Sequence, residues 1–199
     1  MNGTIYTIGH SNGTVGRLIG LLRQHGVTAV ADVRSQPYSR FNPQFNREEL
    51  AGVLRNSGVE YVFLGHELGA RSCDPTCYRD GRAQYSLIAK TAIFRRGIQR
   101  LLAGMERFQV AIMCAEKEPL TCHRTVLVAR YLHEEGIGVR HILEDGRAEG
   151  HASTVLRLME LHGIQEDHLF HSMDDLVAMA YEKQAEQIQY SAAQTSHPA

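Results

Sequence analysis

Short apolar runs alternate with longer amphipathic segments along most of this chain. Runs short enough to be buried strands occupy residues 5–8, 27–33, 61–64, 110–113 and 139–143. Helical spacing of apolar positions appears at residues 14–25, 46–56, 84–105, 125–135, 152–162 and 174–189. This alternation predicts one α/β domain over residues 1–190. Its three layers would hold a mostly parallel, doubly wound sheet of about five strands, covered by helices on both faces.

Local signals mark the ends of several elements. Asn12 or Thr14 is expected to cap the first helix, and Asn46 the second, because short polar side chains accept hydrogen bonds from free helix N–H groups. Residues 67–83 are rich in Asp, Arg and Gly and are predicted to form a long polar loop. The small polar residues 191–199 are predicted to be a disordered tail.

Polar residues that could do chemistry follow the predicted strands. Right-handed crossovers in a parallel sheet bring all strand-to-helix loops to the carboxyl edge, where α/β folds build their binding sites. The loops concerned span residues 9–12, 32–42, 66–82, 114–124 and 144–147. Their convergence predicts a pocket at this edge.

The loop at 114–124 holds the densest set of reactive side chains. Cys122 is predicted at a helix N-terminus beside Arg124, where a thiolate is favoured, whereas Cys114 ends an apolar strand that favours the neutral thiol. We therefore expect Cys122 to be the more reactive thiol and a catalytic residue. Glu116 is a candidate general acid or base, and Arg124 a candidate ligand for an anion.

A base for Cys122 has three candidates. His123 is adjacent to it in sequence, and adjacent residues on a helix do not face each other. His10 or His66 would then supply the base from a neighbouring loop. His123 and His10 are counted among the predicted catalytic residues, and His66 among those that bind substrate.

The other loops supply predicted substrate contacts. Gly9 permits close backbone approach, and the following helix start can bind a phosphate or carboxylate, with Ser11 nearby. Asp32 and Arg34 lie two residues apart on one side of a strand, so Asp32 either pairs with Arg34 or aims it at an anion. The remaining predicted substrate contacts are Tyr38, Arg40, Asn42, Arg71 and Cys114.

Residues 36–45 favour recognition of a planar group. Aromatic rings, arginines and amides lie between two prolines, a composition suited to stacking on a base while hydrogen-bonding its edge. Phe45 is instead expected to pack on the core. Cys73 and Cys77 are separated by three residues, which is not a common zinc spacing, so we predict ordinary loop residues and no metal. The alternative is a four-ligand site formed with Cys114, Cys122 and His123.

Four segments together resemble a family known as domain of unknown function 488. They are residues 8–11 (IGHS), 32–39 (DVRSQPYS), 68–71 (LGAR) and 114–124 (CAEKEPLTCHR). The resemblance covers about residues 4 to 145. It implies an α/β domain with polar residues clustered around a pocket, and it implies no particular activity.

Charge and composition limit the classes of partner that the protein is expected to bind. The chain has 21 Lys plus Arg and 22 Asp plus Glu, which argues against an overall electrostatic grip on nucleic acid while leaving a local basic pocket possible. Most of the cations are Arg, the better ligand for planar anions. No signal peptide or membrane span is predicted, so we expect a cytoplasmic protein with thiols rather than disulfides.

These observations predict an enzyme that acts on a small anionic substrate, nucleotide-like or a nucleic-acid end. The reaction would be hydrolysis or group transfer at a phosphate or glycosidic centre. The first alternative is a thiol-dependent sulfur or acyl transferase that uses Cys122 or Cys114. The second is a non-catalytic module that binds a nucleotide or nucleic acid at the same edge. The cofactor and the oligomeric state stay open.

Overall fold

A computed structural model describes residues 3–165 and 171–191. Its main sheet has six strands in the order β3-β2-β6-β1-β7-β8, and a separate hairpin pairs β4 with β5. All neighbours in the main sheet are parallel except β7 and β8. The strands are β1 (Thr4–Gly9), β2 (Ala29–Asp32), β3 (Glu60–Phe63), β4 (Tyr78–Arg79), β5 (Arg82–Ala83), β6 (Val110–Cys114), β7 (Gly138–Ile142) and β8 (Ala148–Gly150).

Helices connect these strands in the alternating order expected. They are α1 (Val15–Gln24), α2 (Arg47–Asn56), α3 (Gly65–Leu68), α4 (Tyr85–Ile88), α5 (Ala92–Met105), α6 (Arg130–Glu134), α7 (His151–Leu161) and α8 (Met173–Ile188). A π-helical stretch, Arg124–Ala129, leads into α6. Among the residues in the two described ranges, no helix is both long and apolar enough to cross a membrane.

Two apolar cores lie on opposite faces of the sheet. On one face, α1 and α2 bury Leu18, Leu22, Leu50 and Leu54 against Ile8, Val30 and Met113 of the strands. On the other, α5, α7 and α8 bury Phe94, Ile98, Leu158 and Leu176 against Ile5, Ala31 and Ile112. Because side chains alternate along each strand, one strand supplies both cores. The three-layer α/β prediction is confirmed.

Most predicted elements shift only at their ends, but the predicted helix at 84–105 is two helices. The Thr91 side chain accepts a hydrogen bond from the N–H of Phe94 at 3.1 Å and caps α5. A capping side chain favours a new helix start, so α4 ends before it. Helical spacing alone did not reveal this break.

Several loop predictions also need correction. The predicted loop at 67–83 contains the end of α3 and the β4–β5 hairpin. Asn46 precedes α2, but its side chain accepts from the N–H of Ser39 at 2.7 Å instead of capping the helix. Thr14 does cap α1 through the N–H of Arg17. Ser191, predicted to begin a disordered tail, bridges to Arg82, and residues 192–199 lie outside the described residues.

Candidate active site

The three central strands bring their following loops together. β6 lies between β2 and β1, and the strand pairing continues one or two residues past the strand ends. The N–H of His10 donates to the carbonyl of Cys114 at 3.0 Å, and the N–H of Ser11 to that of Ala115 at 2.9 Å. On the other side the N–H of Val33 donates to the carbonyl of Met113 at 3.0 Å. The chemistry-bearing loops therefore start from one rigid edge.

Gly9 allows the 114–124 loop to cross over the end of β1. A Cβ atom at this position would lie 1.9 Å from the carbonyl oxygen of Glu116. The sequence predicts that Gly9 lets a substrate anion approach the backbone closely. The structure shows that the approaching group is the loop itself.

Arg124 ties the same loop down from inside. Its side chain is fully buried, and Nη1 and Nη2 donate to the carbonyls of Glu116 and Lys117 at 2.6 and 3.1 Å. Its Nε atom is buried without a hydrogen-bond partner among the described residues. Arg124 was expected to bind the substrate anion, and its burial revises that role: the guanidinium holds the loop that carries Glu116.

Four donor side chains converge above this loop, and we call them the Cys–His cluster: Cys114, Glu116, Cys122 and His123. One ligand atom of each lies within 4.8 Å of those of the other three. Oε2 of Glu116 is 2.9 Å from the sulfur of Cys114 and 2.9 Å from that of Cys122. Nδ1 of His123 is 3.7 Å from Cys114 Sγ and 4.0 Å from Cys122 Sγ.

His123 faces Cys122 after all, contrary to the argument from helix geometry. Cys122 has φ −132° and ψ 138°, so it is extended and lies just outside the helix. The helical face rule does not apply to a residue in that conformation. Nε2 of His123 is 3.1 Å from the carbonyl of Val33, which anchors the ring to the end of β2.

The pKa values of the two thiols are shifted in opposite directions. Burial raises the pKa of Cys114, and the neighbouring Cys122 and Glu116 raise it further. Burial also acts to raise the pKa of Cys122, but the hydrogen bond from Cys114 and the charges of Arg124 and His123 outweigh it and lower that pKa. Burial and the Cys122 charge raise the pKa of Glu116. Both directions agree with the expected order of thiol reactivity, which itself stays a prediction.

A second group holds Arg34 beside the cluster. Asp32 is fully buried and accepts from Arg34 Nη2 at 2.6 Å and from the Tyr61 hydroxyl at 2.7 Å. Arg34 Nη1 lies 3.1 Å from Nε2 of His10. Burial and the charge of Arg34 lower the pKa of His10 to about 4. A neutral His10 accepts from Arg34, and it contacts neither thiol, so it positions the guanidinium.

The candidate pocket, about 420 Å³ in volume, opens over both groups. Its walls include Arg34, Arg71, Cys114, Glu116 and His123, and Tyr38 lies at its rim with 57% of its surface exposed. The pocket therefore unites predicted residues from three separate loops. Cys122, at 1% exposure, lies beneath the wall.

The opposite wall comes from residues 188–190, which were not among the residues predicted from the sequence to form the site. Residues 188–190 line the pocket, and the Arg71 guanidinium lies 4.3 Å from the centre of the Tyr190 ring. The carbonyl of Tyr190 accepts from the N–H of Ala83 at 2.9 Å, which adds this segment to the β4–β5 hairpin. No local motif marks residues 188–190, so only long-range pairing could place them here.

Seven predicted substrate contacts do not line this pocket. The contacts of Gly9, Asp32 and Arg124 are described above, and four others remain. His66 is exposed on α3 with its ring edge on Phe63, and the Arg40 guanidinium packs over the neighbouring Phe41 ring. The two others are Ser11, which lines a separate cleft with His10, and Asn42, whose amide donates to Asn12 at 3.3 Å.

The other two cysteines are separate from the Cys–His cluster. Cys73 is exposed and Cys77 is buried in the core. Neither belongs to the group of converging donors found in the described part of the chain.

Comparison with known proteins identifies the family to which the chain belongs. The model of a family described as a domain of unknown function, DUF488, matches residues 14–132. The chain belongs to the DUF488 family. The match in this DUF488 protein runs from the start of α1 into α6 and includes Arg34, Arg71 and the whole Cys–His cluster. No curated protein and no solved structure matches the chain. Its function is therefore argued from the site.

Proposed function

We propose that this DUF488 protein is an enzyme acting on a small anionic substrate, nucleotide-like or a nucleic-acid end. The reaction is hydrolysis or group transfer at a phosphate or glycosidic centre. One observation carries the proposal: two arginines line the same pocket as the carboxylate, thiol and imidazole of the Cys–His cluster. An anion-binding end and a reactive end within one pocket are what such a reaction needs.

Arg34 is the better placed of the two arginines. Asp32 takes hydrogen bonds from its Nε and Nη2 atoms, and His10 contacts Nη1. A guanidinium has five N–H groups, so these described contacts leave two of them for a substrate. Because the ion pair with Asp32 holds the group in one orientation, the remaining donors are preorganised for an oxyanion.

Arg71 extends the positive end of the pocket. Its Nη1 donates to Gln36 Oε1 at 2.7 Å, and its guanidinium stacks on Tyr190. The Tyr38 ring at the rim and the Tyr190 ring at the wall flank the opening. Aromatic faces beside arginines suit a planar base next to a phosphate, which supports the nucleotide-like substrate class.

Glu116 is the candidate general acid or base. It is the exposed member of the Cys–His cluster and lines the pocket. A carboxyl group that faces substrate can transfer a proton to the leaving group or from attacking water. Of the two thiols, Cys114 reaches the pocket wall, whereas Cys122 lies below it and lacks that access in this arrangement.

Binding of phosphate compounds tests the anion site. We expect adenosine monophosphate and inorganic phosphate to bind the wild type in calorimetry, and Arg34→Lys to weaken binding by at least about tenfold, because a charged hydrogen bond contributes about 1.5–3 kcal/mol. Arg55→Lys, a change at an exposed arginine on α2, should bind normally. Equal affinity in the wild type and Arg34→Lys would contradict the proposal.

The thiol-dependent transferase is the second candidate, because Cys114 lines the pocket beside Cys122. Turnover of phosphate-ester, glycoside, thioester and thiosulfonate model compounds separates the possibilities. Glu116→Gln should abolish hydrolysis if the carboxyl group is the general acid or base. Cys114→Ala should abolish sulfur or acyl transfer if that thiol is the nucleophile. A non-catalytic binding module would keep its affinity in both variants and turn over none of these compounds.

A further inference from the structure

The geometry of the Cys–His cluster points to a metal centre. We infer that Cys114, Cys122 and His123 bind a zinc-class divalent ion, with the fourth coordination position opening into the pocket beside Glu116. The metal's part in chemistry rests on the proposed function, but its binding does not. This inference replaces the sequence-based expectation that no metal is bound and involves neither Cys73 nor Cys77.

The spacing of the donors fits one small ion. In a tetrahedral zinc site, the bond lengths to sulfur and nitrogen place these atoms about 3.6 Å apart. Nδ1 of His123 lies 3.7 Å from Cys114 Sγ and 4.0 Å from Cys122 Sγ. Both sulfur–nitrogen distances are therefore within a few tenths of an ångström of the tetrahedral value.

The imidazole is already oriented as a ligand. Its Nε2 is 3.1 Å from the backbone carbonyl of Val33, which can only accept, so Nε2 carries the proton in the neutral ring. The lone pair of Nδ1 then points towards the two sulfurs. A backbone carbonyl on the second nitrogen is the usual outer contact of a metal-bound histidine. The N–H of Arg124 also lies 3.4 Å from Cys122 Sγ and can donate to a thiolate there.

Charge in this cluster favours a cation. Cys114 and Cys122 are 3% and 1% exposed, and one carboxylate oxygen lies close to both sulfurs. Two buried sulfurs beside one carboxylate oxygen form a compact set of donors that zinc-class ions prefer. A divalent ion balances the two thiolates, and each donor atom that carries a proton loses it when the ion binds.

Glu116 marks the open side of the centre. Its Oε2 is 2.9 Å from each sulfur, closer than the roughly 3.5 Å between donors of a tetrahedral site, so this oxygen must withdraw when an ion binds. Since Glu116 is exposed to the pocket, it has room to move. Three protein ligands and one open position are typical of catalytic zinc sites, with a nearby carboxylate left for proton transfer.

Metal analysis tests the inference directly. We expect the full chain, purified without chelator, to contain about one zinc per molecule by mass spectrometry. After removal of the metal, Co²⁺ should restore a spectrum with thiolate charge-transfer bands. Cys122→Ser and His123→Gln should lower Zn²⁺ affinity by more than about 100-fold, the upper range for losing a mere outer contact. Cys73→Ser is the matched cysteine control and should bind normally.

Alkylation provides a readout that does not depend on folding of a variant. Iodoacetamide should label the buried Cys114 and Cys122 slowly in the chelated protein and more slowly still once Zn²⁺ is restored, while exposed Cys73 reacts at the same rate in both states. A folded wild type that binds neither Zn²⁺ nor Co²⁺ would overturn the metal centre. Phosphate binding that depends on Arg34 would survive that result, so the two proposals fail separately.

Discussion

Arg34 and Arg124 show how residues of one type acquire different roles from their surroundings. Both were predicted to bind an anion, and both lie in loops at the carboxyl edge. Arg34 is 8% exposed and lines the pocket, whereas Arg124 is fully buried and donates to two backbone carbonyls. Arg34 therefore remains the candidate for binding the substrate anion, whereas the contacts of Arg124 hold the loop.

Replacing Arg124 should lower stability. In Arg124→Met the carbonyls of Glu116 and Lys117 lose their buried donors, at a cost of about 1–3 kcal/mol each. We expect the free energy of unfolding in urea to fall by about 2–4 kcal/mol. Arg95→Met, at an exposed position on α5, should change it little. If Arg124→Met unfolds like the wild type but loses phosphate binding, Arg124 contacts substrate.

At the scale of elements, the crossing of the 114–124 loop over β1 sets the position of Glu116. Gly9 is in contact with the carbonyl of Glu116, and the neighbouring strands β6 and β1 are in fixed register. The loop therefore has one path across the strand end. A side chain at position 9 would push the loop away from the cluster.

Gly9→Ala tests this crossing. Its methyl group would meet the Glu116 carbonyl at 1.9 Å, so we expect a loss of about 1–3 kcal/mol of stability, as for an overpacked core. Gly20→Ala is the matched control, because no atom lies within 4 Å of its added Cβ and alanine favours the helix α1. In thermal unfolding, the melting temperature should fall for Gly9→Ala and rise for Gly20→Ala. Two unchanged melting temperatures would mean that the loop gives way without cost.

Across the whole molecule, a buried hydrogen-bond chain links the sheet to the last helices. Thr7 Oγ1 contacts His141 Nδ1 at 2.8 Å, His141 Nε2 contacts His151 Nδ1 at 2.9 Å, and His151 Nε2 contacts the Tyr181 hydroxyl at 2.8 Å. The chain joins β1, β7, α7 and α8. Since α8 leads into the pocket wall at 188–190, this chain also supports the site from a distance.

The two histidines of the buried hydrogen-bond chain predict that the folded protein loses stability in acid. Burial, with the charge of His133 second, lowers the pKa of His151 to about 4, and burial lowers that of His141. The unfolded chain then binds more protons than the folded one between pH 6.5 and 4, so stability is full above that window and falls as the pH drops through it. His151 alone contributes about 3 kcal/mol to the fall.

Urea unfolding at pH 7, 5.5 and 4.5 measures how steeply the free energy of unfolding depends on pH. His151→Gln should flatten the dependence whatever its effect at pH 7, and His66→Gln, which removes an exposed imidazole, should leave the wild-type slope. If the free energy of unfolding of His151→Gln depends on pH as steeply as that of the wild type, other groups cause the acid sensitivity.

The sequence alone determined the three-layer α/β architecture and located the loop that carries the Cys–His cluster. Alternating apolar runs and helical spacing are local properties, and they specified the parallel sheet and its two helical layers. The position of Cys114, Glu116, Cys122 and His123 in one loop after a central strand was also visible without the fold.

The tertiary structure decided which of these groups face one another and which face solvent. It placed Arg124 under the loop and Tyr190 in the pocket wall, and it turned His123 towards both sulfurs. These outcomes depend on contacts between residues far apart in sequence and on the extended backbone at Cys122. A periodic pattern within one element predicts which of its faces is buried, but the neighbour that each loop side chain meets depends on packing between elements.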